Sequence, residues 1–423
     1  MENYSHNISE LERKIEEKIF ERINSCIKEE RFEVAARICK ALGDSERAKE
    51  LWEKAAEREI ERGFLYSAAE YYIEAGYPER TINLLKKYAE EYIKNKLFSS
   101  AAETYKDIAR IYKDVLNDDK MARKALIEAG DLYMKDGQFE KAAEVYVMAG
   151  EIEKAKKVLK KVGRRLRLKA FFTFNPYKRA KIYEKIAEIN RFLGKEDKAK
   201  KFYRSAAKLY EKKKLILFAT RCYERAGDLE RAILILEKYA NDAIENGFLS
   251  SAAIVYEHLS MLYEKQGNKE KAKEARKTAG DLYMKEKWFR AAAEAYEMAG
   301  EIERAREAWI KEIEELEREA SSTSNPTHYV KILKTISEIY ENRLKDPEKA
   351  KETWKRLGIF CMEYGLKYKD ALMYRNAAIA FENARDSGNA KLSWLLATVE
   401  HMNRGDCIRA AEAYRNAIKI KIN

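Results

Sequence analysis

One segment of the sequence concentrates side chains that bind anions. Residues 154–169 carry nine lysines and arginines and no acidic residue, and the aromatic residues of 170–174 follow directly. The apolar residues of this segment recur at helical spacing, at Val158, Leu159, Val162 and Leu166. The basic side chains between them are therefore expected to face outward. The candidate residues for binding an anionic partner are Lys156, Lys157, Lys160, Lys161, Arg164, Arg165, Arg167, Lys169, Phe171 and Phe172.

Four interpretations of this segment are open. It binds an acidic protein, it holds the phosphates of a nucleic acid, or it rests on an anionic membrane with Phe171 and Phe172 inserted. Alternatively, it is a basic surface helix whose phenylalanines cover the core. Protein or membrane contact is favoured over nucleic acid, because RNA-reading helical repeats place polar residues at a fixed site in every repeat, and this basic patch is single.

Residues for catalysis or metal binding show no comparable grouping. The histidines at 6, 258, 328 and 401 are isolated, and the sequence contains no HExxH, GxxxxGK[ST], GxGxxG or GxSxG motif. The five cysteines are far apart and form no CxxC pair, which indicates a reducing compartment. We therefore expect a protein without enzymatic activity, cofactor, metal site or small-molecule substrate.

The composition favours an all-α fold. Of 423 residues, 46% are hydrophobic and 37% are charged, with only 4 prolines and 17 glycines. Turns are thus too rare for a sandwich or a doubly wound sheet. No apolar run reaches the length of a membrane span, so we expect a cytoplasmic protein. Abundant Glu and Lys with scarce Gln resemble proteins of organisms that grow at high temperature.

Internal repeats predict how these helices are arranged. Residues 129–153 recur at 279–303 with 18 of 25 positions identical, and the match extends outward at an offset of 150 or 151. A block of about 151 residues used nearly three times accounts for this pattern. The predicted segments of one continuous solenoid are N-terminal capping helices (1–37), block 1 (38–188), block 2 (189–338), and a partial block 3 with the C-terminal cap (339–423).

A shorter unit repeats inside each block. It consists of an alanine, three residues of any type, an aromatic residue, two residues of any type and an alanine–glycine pair. Ala142, Tyr146 and Ala149 are one example, and their spacing places them on one helical stripe. Small residues allow a neighbouring helix to approach, and the ring fills the gap beside them. Repetition of the unit predicts the packing face of a helical solenoid. Prolines 176, 326 and 347 each follow a capping residue and predict helix starts.

This stripe resembles the tetratricopeptide repeat (TPR), whose small and aromatic positions are matched here by Gly130, Tyr133, Gly137, Ala142, Tyr146 and Ala149. The helices are longer than in a standard TPR, and residues 336–354, ISEIYENRLKDPEKAKETW, are similar to the soluble NSF-attachment protein (SNAP) branch. The resemblance implies a right-handed α-solenoid of antiparallel helix pairs. It also implies an adaptor that lays its concave face along a helical partner and couples it to an AAA ATPase. Residues 419–423 lack the acidic residues and leucine pair with which that family engages its ATPase.

The predicted function is therefore a non-enzymatic protein–protein interaction adaptor or scaffold that binds a peptide or helical partner on its concave face. The alternative is an anionic-surface binding protein, for membrane or RNA, that acts through the basic–aromatic segment 154–174.

Overall fold

The chain is all-helical. A computed structural model describes residues 2–421, with side chains from residue 9 on, and this part of the chain forms 22 α-helices and no strand. The first ten helices are α1 (Glu2–Lys28), α2 (Phe32–Leu42), α3 (Ser45–Glu61), α4 (Leu65–Glu74), α5 (Pro78–Lys94), α6 (Phe98–Asp114), α7 (Asp119–Lys135), α8 (Phe139–Met148), α9 (Ile152–Phe171) and α10 (Pro176–Phe192). The prediction of an all-α fold is confirmed.

The next eight helices match the lengths of α3 to α10, except that α16 and α17 are each one residue longer than α8 and α9. They are α11 (Glu196–Lys212), α12 (Ile216–Arg225), α13 (Leu229–Glu245), α14 (Leu249–Lys265), α15 (Lys269–Lys285), α16 (Phe289–Ala299), α17 (Ile302–Ser322) and α18 (Pro326–Asn342). The last four are α19 (Pro347–Tyr368), α20 (Ala371–Asn383), α21 (Ser387–Asn403) and α22 (Cys407–Lys419). Thus α9 occupies the same place among its neighbours as α17 does in the second set.

Capping side chains begin the proline-initiated helices where the sequence predicts them. The Asn175 side chain accepts a hydrogen bond from the backbone N–H of Lys178 at 3.1 Å, and Pro176 occupies the first helical position. Asn325 and Asp346 cap α18 and α19 in the same way. Each cap satisfies backbone donors that a helix start otherwise leaves without a partner.

Glycines facing aromatic rings set how closely neighbouring helices pack. A β-carbon at Gly130 in α7 lies only 2.6 Å from the Tyr146 ring in α8, and Gly280 has the same relation to Tyr296 at 2.7 Å. A side chain at either position therefore has no space. The ring packs on the bare backbone, as the stripe of small and aromatic residues predicts.

Tyrosine hydroxyls add polar links between helices. Tyr210 of α11 donates to Glu184 of α10 at 2.5 Å, and Tyr223 of α12 donates to Glu211 of α11 at 2.9 Å. Burial, then the hydrogen bond to Glu211, raises the pKa of Tyr223 to about 12. Each ring is thus packed in the core while its hydroxyl has a partner, which avoids the cost of an unsatisfied buried polar group.

The helices form two compact units. Unit 1 contains the residues up to Lys96, Arg110–Asn117 and the residues from Glu315 on, and unit 2 contains Leu97–Ala109 and Asp118–Glu314. In unit 2, successive helices from α7 to α16 pack against each other. Its core includes Tyr210, Leu236, Leu259 and Leu262, all essentially inaccessible to solvent.

Unit 1 joins the two ends of the chain. Besides sequential packing, α1 lies against α21 and α22, and α2 lies against α22. Ile23 and Ile38 share one buried cluster with Leu395 and Tyr414. The Lys391 ammonium lies 2.7 Å from the Glu12 carboxylate, and both side chains are mostly buried. Residues almost 400 positions apart thus belong to one core.

Candidate anion-binding surface on helix α9

Helix α9 carries the whole basic run of 154–169. Its buried face consists of Ala155, Val158, Val162, Gly163 and Ala170, with Leu159 and Leu166 half-buried beside them. The apolar stripe predicted from spacing therefore faces the core. Because this stripe occupies one side of the helix, the remaining positions are left to solvent.

Nearly all basic side chains of the run are exposed, and Lys156 is the exception among the predicted residues. It is half-buried, and its ammonium lies 2.7 Å from the Glu153 carboxylate. That hydrogen bond lowers the pKa of Glu153. Lys156 therefore differs from the other predicted residues in that it pairs with Glu153, three residues earlier on the same helix. The exposed basic residues are Lys154, Lys157, Lys160, Lys161, Arg164, Arg165, Arg167 and Lys169.

Most of these charges lack an acidic partner. Within the described part of the chain, Lys156 is the only basic residue of 154–169 with a carboxylate oxygen inside 4.0 Å. An isolated basic helix repels itself, since like charges three or four residues apart are destabilising. Part of this repulsion is offset within the fold, because Lys154 lies over the Tyr146 ring, and Lys161 and Arg165 lie over the Phe139 ring.

A cleft of about 600 Å³ lies between α9 and the start of α8. The half-buried Phe139 ring contributes to its lining, with the Lys161 ammonium 4.9 Å and the Arg165 guanidinium 5.5 Å from the ring centroid. Glu140, which also lines the cleft, is paired with Lys185 at 3.2 Å. The cleft thus has an apolar wall and a positively charged rim.

The phenylalanines after the basic run do not cover the core. Phe171 is 78% exposed, Phe172 65% and Phe174 87%, and Leu168 beside them is 62% exposed. The Phe171 and Phe172 rings contact each other edge to face with centroids 5.3 Å apart. The interpretation that these rings simply cover a block boundary is wrong, because the small Ala170 already closes the buried face there.

The duplicated helix α17 shows what this position in the fold requires. Arg304–Glu319, which matches 154–169, contains four basic and six acidic residues. At the positions of Phe171, Phe172 and Phe174 it has serines, at 321, 322 and 324. Both sequences form a long helix followed by an asparagine-capped helix. Neither the positive charge nor the phenylalanines are therefore needed for folding.

Positive charge extends beyond the run that the sequence analysis singled out. Residues 154–214, which span α9 to α11, contain 23 basic and 5 acidic residues, a net charge of +18, although the whole chain carries +12. The rest of the chain is consequently acidic, with a net charge of −6. This concentration is visible in the sequence only when charge is summed over three helices and not over residues 154–169 alone.

The histidines and acidic residues offer no metal site within the part of the chain that the structure describes. Among the described residues, no three or more His, Cys, Asp or Glu side chains are grouped so as to hold a metal ion. His258 lies 3.7 Å from Glu224 and His328 lies 2.6 Å from Glu319, whereas the side chain of His6 lies outside the described residues. No helix among the described residues is both long and apolar enough to cross a membrane.

Comparison with known proteins identifies two families. The model of the family "Soluble NSF attachment protein, SNAP" matches residues 26–167, which include most of the basic run. The model of the family "Tetratricopeptide repeat" matches residues 180–213 and 253–277. No curated protein sequence matches the chain.

Three solved structures that match the chain are each 16% identical to it in sequence. A kinesin light chain of Podosopora anserina with nearly identical TPR-like repeats covers 49% of this chain and 97% of its own, with a TM-score of 0.25. The match to a signal transduction ATPase of Pyrococcus horikoshii with a tetratricopeptide repeat sensor covers 81% of this chain and 52% of that protein, with a TM-score of 0.28. The match to the C-terminal part of a TPR repeat-containing protein from Cytophaga hutchinsonii covers 64% of this chain and 98% of that structure, with a TM-score of 0.27.

The two family matches lie on the helices whose glycine, alanine and tyrosine packing is described above. These matches and the all-helical fold support the assignment of the chain to the TPR/SNAP-like superfamily of helical-repeat proteins.

Proposed function

We propose that the chain is a non-enzymatic adaptor that binds a peptide or a helical segment of another protein on the concave face of its helix pairs. The TPR and SNAP families to which it is related are generally scaffolds for protein interactions. In such repeats, the first helix of each pair lines the concave face, as the resemblance implies. The partner would therefore contact α10 and α14, the first helices of the two matched pairs.

One observation supports an interaction role beyond the family relationship. Met148 and Ile152, which flank the turn from α8 to α9, are exposed, and Met298 and Ile302 are exposed at the matching turn from α16 to α17. Folding gains little from large apolar side chains left in water. Exposed methionine is suited to contact with a partner, because its flexible side chain adapts to different surfaces.

The experiment is site-specific photo-crosslinking in a lysate of the source organism. A photoreactive amino acid is placed at exposed positions of α10 and α14, and in a matched set at exposed positions of α11 and α15. We expect one protein partner to be crosslinked from the first set, at both low and moderate salt. The same partner crosslinked equally from both sets, or no salt-resistant crosslink, contradicts the proposal.

A second candidate function is the binding of an anionic surface through the segment 154–174. The net charge of +18 over 154–214 and the cations of α9 that lack carboxylate partners support it. Retention on an immobilised polyanion such as heparin is the simplest test. We expect retention to fall when Lys160, Arg164, Arg165 and Arg167 are replaced by Glu. Unchanged retention of that variant contradicts this function.

A further inference from the structure

We infer that the end of α9 docks the protein onto an anionic membrane surface, with its phenylalanines in the interface and its basic residues over the lipid phosphates. This inference rests on the second candidate function, binding of an anionic surface, and assigns the lipid bilayer as that surface. The docking element consists of residues 157–174.

The basic and apolar groups of the docking element lie on the same side of the helix. Lys157, Lys160, Arg164, Leu168 and Phe171 follow one another at intervals of three or four residues, and all are exposed. Such spacing places them in one stripe, opposite the buried face of the helix. A surface that contacts the apolar end therefore also meets the positive charges along the preceding two to three turns.

The shape of the apolar end favours a lipid interface over a nucleic acid. Phe174 and Phe172 follow the last turn of the helix, and with Phe171 and Leu168 they protrude into solvent instead of lining the cleft beside Phe139. The Phe171 and Phe172 rings meet at an interplanar angle of 89°, so they offer no parallel platform for stacked bases. Leu168 has no base-stacking role, whereas a membrane interface accepts aliphatic and aromatic side chains alike.

Charge complementarity identifies the lipid surface as anionic. A few apolar side chains alone give marginal membrane binding, so stable association takes a second, basic signal. Lysines and arginines close to a surface of anionic lipids each strengthen binding by about fivefold. The docking element supplies both signals within 18 residues, and its duplicate in α17, with serines and glutamates at the matched positions, supplies neither.

The test is flotation of the full-length protein with vesicles, using 30% phosphatidylglycerol in phosphatidylcholine against phosphatidylcholine alone. We expect binding to the anionic vesicles that weakens steeply as salt rises. The triple variant Phe171→Ser, Phe172→Ser, Phe174→Ser should bind at least about tenfold more weakly. The triple variant Lys157→Glu, Arg164→Glu, Arg167→Glu should bind at least about a hundredfold more weakly. All six replacements are the residues at the matched positions of 304–324, so folding is expected to be retained.

Matched variants elsewhere in unit 2 control for charge and hydrophobicity. Lys269→Glu, Lys273→Glu and Lys285→Glu make the same change in charge on exposed positions of α15. Leu217→Ser, Leu234→Ser and Met261→Ser remove three side chains that are each more than half exposed. Both control proteins should bind vesicles within twofold of the parent. Equal losses in controls and test variants would overturn the inference.

Two further outcomes separate the inference from the function on which it rests. If the parent protein is neither retained on heparin nor bound to vesicles, both the anionic-surface function and the membrane inference are refuted. Retention on heparin, or binding of poly(U) RNA, without vesicle binding that depends on the phenylalanines refutes the membrane inference alone. As an independent measurement, Phe174→Trp should shift its fluorescence to the blue on anionic vesicles, and an unshifted spectrum contradicts insertion.

Discussion

Gly130 tests the packing of neighbouring helices at the scale of a single residue. A β-carbon there lies 2.6 Å from the Tyr146 ring, closer than atoms in contact approach. We expect Gly130→Ala to lower the free energy of unfolding by about 1–3 kcal/mol, because the ring or the backbone must move. Urea-induced unfolding followed by circular dichroism measures the difference.

Gly163 provides the matched control, because it is also a buried glycine inside a helix. A β-carbon at this position lies 3.5 Å from the nearest atom, on Ile189, which is an ordinary contact. Gly163→Ala should therefore be neutral or stabilising by up to about 1 kcal/mol, as expected from helix propensity. Equal destabilisation by both substitutions would refute the explanation based on ring packing.

Buried tyrosines make the stability sensitive to alkaline pH. The pKa of Tyr223 is raised from about 10 to about 12 on folding, first by burial and then by its hydrogen bond to Glu211. The unfolded chain thus loses this proton first as pH rises. The contribution of this residue to stability is fully present below pH 10 and is lost between about pH 10 and 12, and it amounts to about 3 kcal/mol.

The expected result is that Tyr223→Phe has a shallower decline in unfolding free energy between pH 10 and 12 than the parent. Tyr239→Phe, which removes the hydroxyl of an exposed tyrosine, should follow the parent curve. Unfolding is measured in urea at several pH values for all three proteins. Parallel curves for Tyr223→Phe and the parent would count against the assigned role of this hydroxyl.

Sequence patterns anticipate some of these residue roles and miss others. The spacing of Gly130 and Tyr146 predicts their stripe, because helical periodicity is local. The pairing of Tyr210 with Glu184 depends on how one helix lies against the next, and carboxylates are too abundant for spacing to select one. The exposure of Phe171 is likewise not predictable from the sequence, because an apolar residue at the end of a helix is equally compatible with core and surface.

At the scale of the element, we expect α9 to be less stable than its duplicate α17, because its like charges repel each other. In α17, Glu307 pairs with Lys311 at 2.7 Å, whereas α9 has Lys157 and Lys161 at the same two positions. Lys157→Glu removes one repulsion and creates one pair, so it should stabilise the protein by about 0.5–1 kcal/mol at low salt. Thermal unfolding at two salt concentrations measures this, and the gain should shrink as salt rises.

The same substitution is expected to weaken binding of anionic vesicles by about fivefold or more. A gain in stability together with a loss of binding indicates that the positive charge is retained for interaction and not for folding. Lys157→Glu that lowers stability would show instead that the basic face contributes to the fold. The outward-facing basic side chains are predictable from the sequence, since the apolar stripe of α9 is regular, but this stripe does not indicate that Lys156 pairs with Glu153.

At the scale of the molecule, the ends of the chain stabilise each other. The Glu12–Lys391 pair joins α1 to α21 at 2.7 Å and is mostly shielded from water. Lys391→Ala leaves the Glu12 carboxylate without its partner, and we expect a loss of about 1–3 kcal/mol. Hydrogen exchange should show reduced protection in both α1 and the last two helices, since they share one core.

A double-mutant cycle completes this test. Glu12→Ala combined with Lys391→Ala should cost less than the sum of the single substitutions, because neither charge is then left alone. Strict additivity, or loss of protection in α1 alone, would show that the pair does not join the ends. The sequence gives no indication of this contact, because nothing local reports on residues that lie almost 400 positions apart.

The most direct test of the central claim exchanges one segment for its own duplicate. Residues 154–174 are replaced by the sequence of 304–324, and the full chain is compared with the parent by unfolding and by vesicle flotation. We predict unchanged helical content, equal or higher stability, and loss of anionic-vesicle binding by at least about a hundredfold. The claim is that the charges and phenylalanines of this segment bind an anionic surface and are not needed for folding. A folded chimera that binds vesicles within twofold of the parent would contradict the first part of the claim. A chimera that fails to fold would contradict the second part.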